Sequence, residues 1–423
     1  MKKYNVLIFP AYTEIATEIL EGLSDNKTFN PICFTSQDLF RSNHYLPFVN
    51  SPDFKTSLVE AISTYSIDFI FPAHDLFIDF LASNYFEFSK LTKLVMNKPD
   101  IIKLTRSKRS TYKALKDYIS VPEVYESLDM AKFPLFVKPD RGFNSRESYK
   151  VISLNELSMN IFSEKNIISQ YLPGDEFTID CITNLDGELL DFLIRKRNVI
   201  NNGISKLSSL VIEEQTISKM VHIINRHILL RGAWFFQVKL NSEGIPTLLE
   251  IGPRISGNMG LLRMNGLNPA LSSLYIIGLQ QQIKSTYSPY FKKVLRRLEY
   301  VYEQPELPEH VYINLDDTIL IESKVNPHAV AFLSRCNYLS IPVTLITRHK
   351  GGSEEYLKEL NLLEYFSKII KINDPNINKS SFINIKNSIF IDNSHSERSE
   401  VHSKISIPVF DANILRYLFI QEV

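Results

Sequence analysis

Between Lys108 and Arg254 the sequence carries side chains suited to holding a polyphosphate and moving its terminal phosphoryl group. Lys108 and Lys138 can each offer phosphate oxygens a compact ammonium charge. Glu176 and Asp180 fall at even spacing in DEFTID, so a strand there puts both on one face. Gln237 and Glu250 lie in GAWFFQVKL and TLLEI, apolar runs joined by a turn at 242–244. A carboxylate and an amide oxygen are hard donors that suit Mg²⁺. Arg254 follows closely and can stabilise charge on a transferring phosphoryl group. The G-x-x-x-x-G-K-[ST] pattern is absent, which excludes a P-loop. No G-x-G-x-x-G follows the first apolar run, so a dinucleotide site has no support.

Taken singly, each residue has a plainer reading. Lys138 could be an exposed strand end and Glu250 a surface acid. Lys108 stands among Arg106, Arg109 and Lys113, as on a solvated basic helix face. Arg195 and Arg197 could line a solvated strand, and Asp180 could simply support its neighbours. His74 and Asp75 end an apolar run whose carboxyl end could line a cleft, with helix capping by Asp75 the expected role.

The elements that must position these residues follow from periodicity. YNVLIFP, PICFTS, IDFIFPA and KLVMN read as strands separated by helices, one of them starting at Thr13. Such alternation predicts a parallel sheet covered by helices. One basic helix is expected from Pro99 to about Ile119, ended by Pro122. Short strands follow, with a hairpin turn at 185–188 and a long helix around 214–230. A second α/β pattern begins at VYINLDDTIL, after the linker-like EQPELPEH.

The order TRSKRSTYKALKDYISVPEVY, FPLFVKPDRGFNSR, NIISQYLPGDEFTID, IRKRNVINNGISK, GAWFFQVKL and LLEIGPRISGN is similar to the ATP-grasp superfamily. The nearest likeness is to carboxylate–amine ligases related to the large subunit of carbamoyl phosphate synthase, over residues 1–300. By that resemblance Lys108 and Lys138 contact the α- and β-phosphates, and the turn Arg141–Arg146, with Ser145, covers the phosphates. Gln170, Tyr171 and Leu172 form the hinge against adenine, and Glu176 takes the ribose hydroxyls. Gln237 and Glu250 hold Mg²⁺, while Arg195, Arg197 and Arg254 stabilise the γ-phosphate and an acyl phosphate. Three departures stand out. EIGPR puts Gly252 where the family writes asparagine, a metal ligand. The phosphate loop keeps only Gly142, with Glu147 at a usual glycine. Gln170 replaces the usual hinge acid.

The C-terminal pattern resembles haloacid dehalogenase-like (HAD-like) phosphatases. Asn314, Asp316 and Thr318 match the first motif, Thr347 the second and Asp392 the fourth. Lys379 is the candidate for the third, with Lys368, Lys371 and Lys386 competing. Asn314 stands where that family has its aspartate nucleophile, and a neutral amide is a very poor nucleophile toward phosphorus. The expected domain is therefore phosphatase-like without phosphatase activity. It could bind a phosphorylated group, dock a partner or brace the rest of the chain.

The fold expected is α/β multidomain. It comprises an N-terminal α/β pre-ATP-grasp domain (1–100), a two-lobed α+β ATP-grasp domain (101–302, lid lobe about 112–180), a linker (303–310) and a capless HAD-like Rossmannoid domain (311–423). The function expected is ATP-dependent ligation of a carboxylate to an amine through an acyl phosphate, with ATP and Mg²⁺ as cofactors. The alternative, motivated by Gly252, Glu147 and Asn314, is a nucleotide-binding pseudoenzyme or scaffold. The 423 residues carry 47 basic and 47 acidic side chains, so no net charge draws the chain to nucleic acid or membrane. No run approaches the ~18 apolar residues of a membrane helix. Cys33, Cys181 and Cys336 form no pair at short spacing, which fits a cytoplasmic location. The expected partners are small-molecule carboxylates and amines. A homodimer contact or a pathway protein at the HAD-like domain is open.

Overall fold

The run YNVLIF forms β1 (Tyr4–Phe9), and the Thr13 hydroxyl starts α1 (Glu14–Leu23) by accepting the Ala16 N–H at 3.1 Å. Then come β2 (Phe29–Thr35), β3 (His44–Tyr45), α2 (Phe54–Thr64), β4 (Phe69–Pro72), α3 (Asp75–Ser83), α4 (Tyr85–Phe88) and β5 (Lys93–Leu94). The strands pair in parallel in the order β3-β2-β1-β4-β5. Sheet growth reverses between β1 and β4, and a crevice opens at the carboxyl ends of such strands. Across it the Thr13 hydroxyl donates to the Ala73 carbonyl at 2.8 Å.

The single helix expected after Pro99 is two, α5 (Pro99–Arg106) and α6 (Lys108–Leu115). Ser107 is extended, and its hydroxyl accepts the Ser110 N–H at 3.1 Å. Asp140 adds to the break, accepting from the Ser107 hydroxyl at 2.8 Å and the Arg109 N–H at 2.7 Å. Local capping thus overrides a continuous helical pattern.

A three-stranded antiparallel sheet follows, from β6 (Leu135–Pro139), β7 (Tyr149–Val151) and β8 (Asn166–Gln170), in the order β7-β6-β8. The larger antiparallel sheet uses β9 (Glu176–Thr183), β10 (Leu189–Asn201), β11 (Ile204–Val211), β12 (Gly232–Leu240), β13 (Pro246–Gly252) and β14 (Lys293–Leu295). Its order is β13-β12-β9-β10-β11-β14. α7 (Gln215–Ile228) precedes β12, and the short α8 (Gly260–Met264) and α9 (Pro269–Ser273) follow β13. Period-two alternation gives this sheet two unlike faces. Phe177, Ile179, Cys181, Phe236 and Val238 pack with Met220, Val221 and Ile224 of α7. In the same layer Trp234 is fully buried and donates its indole N–H to Thr183 Oγ1 at 2.9 Å. The opposite face carries Glu176, Thr178, Asp180 and Gln237, with Ile182, Ala233 and Phe235 joining a second apolar cluster.

These elements belong to one unit, residues 1–298, and residues 299–422 form a second. The second unit contains β15 (His310–Ile313), β16 (Leu320–Ile321), β17 (Lys324–Val325), α10 (Pro327–Tyr338), β18 (Val343–Thr347), α11 (Glu354–Glu359), β19 (Lys368–Lys371), β20 (Ser388–Ile391), α12 (His395–Ile405) and β21 (Val409–Phe410). Its sheet is parallel, in the order β19-β18-β15-β20-β21. Only the β16–β17 hairpin and α10 separate Asp316 from β18.

This computed structural model describes residues 2–24, 26–37, 44–127, 129, 131–142, 147–156, 165–212, 214–297, 300, 302, 306–349 and 354–419. Among these, no helix is long and apolar enough to cross a membrane.

Candidate active site

Within unit 1 a cavity of about 260 Å³ lies under the polar face of the six-stranded sheet. Lys108, Lys138, Gln170, Tyr171, Leu172, Glu176, Arg195, Arg197, Gln237, Glu250 and Arg254 all line it. Residues named from sequence over a long stretch of chain are thus brought to one space. Ser145, with the rest of residues 143–146 of the turn Arg141–Arg146, lies outside the described residues.

Lys138 projects from β6 and is almost fully buried. Its ammonium donates to the Tyr112 hydroxyl at 2.8 Å and the Leu249 carbonyl at 3.4 Å. Burial, with the nearby Lys108 adding repulsion, pulls its pKa down to about 7. Lys108 Nζ is 3.8 Å from Glu250 Oε2. Two ammonium groups therefore share one corner with one carboxylate, an environment that a polyanion would relieve.

Even spacing keeps Glu176, Thr178 and Asp180 of β9 on the cleft face, opposite Lys239, Gln237 and Phe235 of β12. Glu176 pairs with Arg197, whose Nη1 also donates to Gln237 Oε1 at 3.3 Å. Lys239, which the sequence reading did not single out, stands 3.9 Å from Glu176. Its place two residues after Gln237 on one strand was the available signal. Arg195 is buried and donates to both Asp180 oxygens, at 2.7 and 3.3 Å, and to Ser256 Oγ at 3.0 Å. Ser256 in turn donates to Asp180 at 2.8 Å. Asp180 therefore holds Arg195.

Arg254 is fixed by Asp75, donating from Nε and Nη2 at 2.8 and 2.7 Å. This corrects the capping role expected of Asp75. His74 caps α3, its Nδ1 accepting the Leu76 N–H at 3.1 Å. Burial alone would raise the Asp75 pKa, but Arg254 and Arg106 hold it well below the usual carboxylate range. The Arg254 guanidinium also lies 5.3 Å from the Phe235 ring centre.

The donor set fits a hard cation. Gln237 and Glu250 are direct cross-strand partners of β12 and β13, and both reach the cavity. The next cleft-facing position on β13 is Gly252, paired with Phe235. A Cβ there would sit 2.1 Å from the Phe235 ring. The ring fills the room a third side-chain ligand would need, so the protein offers two oxygen-bearing side chains. Among the described residues no group of three or more His, Cys, Asp or Glu is placed to hold a metal ion.

Unit 2 gathers a second polar cluster at the carboxyl ends of β15, β18 and β20. Lys379 is buried and donates to Asn314 Oδ1 at 2.9 Å and Asp392 Oδ2 at 2.6 Å. Asn314 Nδ2 donates to the Asp316 carbonyl at 2.8 Å, and Asp316 Oδ1 is 2.6 Å from His349 Nδ1. Thr347 Oγ1 accepts the His349 N–H at 3.0 Å. Of the four candidate lysines, Lys379 is the one hydrogen-bonded to Asn314 and Asp392.

A family model described as "ATP-grasp in the biosynthetic pathway with Ter operon" matches residues 162–299. No curated protein matches the sequence. Similar solved structures include the biotin carboxylase domain of Hydrogenobacter thermophilus 2-oxoglutarate carboxylase in complex with MgADP, ADP and bicarbonate. It is 14% identical with a TM-score of 0.54, over 68% of this chain and 72% of that one. Staphylococcus aureus N5-carboxyaminoimidazole synthetase, complexed with ADP, is 12% identical with a TM-score of 0.55, over 67% and 79%. Bacillus licheniformis L-amino acid ligase is 17% identical with a TM-score of 0.52, over 67% and 75%. At such identities the likeness is one of fold. Residues 162–299 thus match an ATP-grasp family, and about two thirds of the chain shares the fold of these structures.

Proposed function

We propose that unit 1 is an ATP-dependent ligase that joins a carboxylate to an amine through an acyl phosphate. The observation that carries this reading is the gathering of Lys108 and Lys138 with Gln237 and Glu250 in one cavity. The first pair would bind phosphate oxygens, and the second would hold Mg²⁺. Bound there, the ion would supply charge neutralisation at the transferring phosphoryl group. The ligase and synthetase among the similar structures support the same class.

In this reading Gln170, Tyr171 and Leu172 border the adenine and Glu176 faces the ribose. A substrate carboxylate oxygen attacks the γ-phosphorus as the bond to ADP breaks. Arg254, aimed by Asp75, and Arg197 neutralise the developing charge, while Arg195 stays fixed on Asp180. The amine nitrogen then attacks the acyl carbon, the C–O bond to phosphate breaks, and the amine proton leaves with the phosphate. Positioning and fixed charge account for the catalysis. Unit 2 is read as a HAD-like fold without phosphatase activity, because Asn314 takes the nucleophile's place.

Lys138→Ala and Glu250→Ala are expected to abolish ADP and phosphate release in a screen of acid and amine pairs. Full turnover in either variant would refute the site assignment. Tight nucleotide binding by the wild type with no turnover on any pair would favour a nucleotide-binding scaffold.

A further inference from the structure

Resting on the ligase reading, we infer that the end of the cleft at the β1/β4 crevice receives a free α-amino acid, its ammonium facing Glu14 and its carboxylate facing Arg296. This end lies where the order of the N-terminal sheet reverses, and Thr13, Glu14 and His74 reach the cavity from the strand ends. Ligands enter open α/β sheets at such points.

Most charges here are already matched within the protein. Arg195 is committed to Asp180 and Arg254 to Asp75. Glu14 and Arg296 are matched only loosely. Arg296 Nη1 lies 3.8 Å from Glu14 Oε1, beyond hydrogen-bonding distance, with the two side chains 24% and 46% exposed. The other terminal nitrogen of Arg296 donates to the Gly257 carbonyl, which fixes the guanidinium. A Cβ on Gly257 would come within 2.9 Å of that nitrogen and 3.2 Å of Glu14 Cβ, so glycine makes this arrangement possible.

A fixed cation and an anion side by side at a cavity wall complement a ligand with both charges on neighbouring atoms. A simple carboxylic acid would leave Glu14 facing unneutralised substrate, and a simple amine would leave Arg296 unmatched. An α-amino acid answers both. Each charge-assisted hydrogen bond should be worth about tenfold or more in affinity.

The test is calorimetric titration of the full chain, with Mg·ADP present and again without nucleotide. L-α-amino acids are titrated alongside their matched des-amino acids and amino-acid amides, for example L-phenylalanine, 3-phenylpropionate and L-phenylalaninamide. The expected result is an amino acid that binds about tenfold or more tighter than either relative. Glu14→Gln should then erase the preference over the des-amino acid, and Arg296→Met the preference over the amide. Des-amino acids binding as tightly as amino acids would overturn the inference, as would ADP binding with no amino acid bound at all. Amino-acid binding without any affinity for ADP would support this inference and sink the ligase reading, so the two fail separately.

Discussion

Lys138 is the residue whose protonation the site should feel most. Its pKa near 7 reflects burial first and the adjacent Lys108 second. Phosphate oxygens favour the ammonium, so nucleotide binding should raise that pKa and take up a proton at neutral pH and above. The sign follows directly. Affinity for ADP should be greatest below about pH 7 and fall as pH rises through it, by about tenfold or more for a charged hydrogen bond of ~1.5–3 kcal/mol. Titrations at several pH values, repeated in buffers of different ionisation enthalpy, would read both the affinity and the proton uptake. Lys138→Arg should flatten the profile, since guanidinium stays charged. A pH-independent affinity in the wild type would remove Lys138 from the phosphate site.

At the scale of elements, the cleft depends on α3 reaching the six-stranded sheet through Asp75. That carboxylate neutralises Arg254 and Arg106 together, and its side chain is only 4% exposed. Asp75→Ala should destabilise unit 1 by about 3–5 kcal/mol, the usual cost of stranding a buried partner. Asp75→Asn, which keeps the shape, should lower kcat while leaving nucleotide affinity nearly unchanged. Unaltered turnover in Asp75→Asn would show that Arg254 needs no aiming. This pair also marks how far the sequence could be read. Period-two alternation in DEFTID was enough to put Glu176 and Asp180 on a common face. Nothing local joins Asp75 to Arg254, because two chain-distant segments meet only after folding. Ser107 was missed for a similar reason, since half of its capping partnership comes from Asp140. Phe235 is both part of a buried apolar cluster and a wall of the cleft, where it closes over Gly252.

At the scale of the whole molecule, the chain divides into two units, each with its own cluster of polar side chains. In the second unit Lys379 has one carboxylate partner, Asp392, and one amide partner, Asn314. Asn314→Asp would place a carboxylate oxygen at the carboxyl end of β15. It is expected to give weak Mg²⁺-dependent release of p-nitrophenol from p-nitrophenyl phosphate, against none in the wild type. A correctly folded but silent variant would mean that parts beyond Asn314 are missing. The chain's one tryptophan, Trp234, sits wholly in the first unit, beneath α7. Red-edge-excited fluorescence is therefore a one-sided gauge. It follows denaturation of the first unit and is blind to the second, so any disagreement with circular dichroism, which sees both, measures directly how independently the two units come apart.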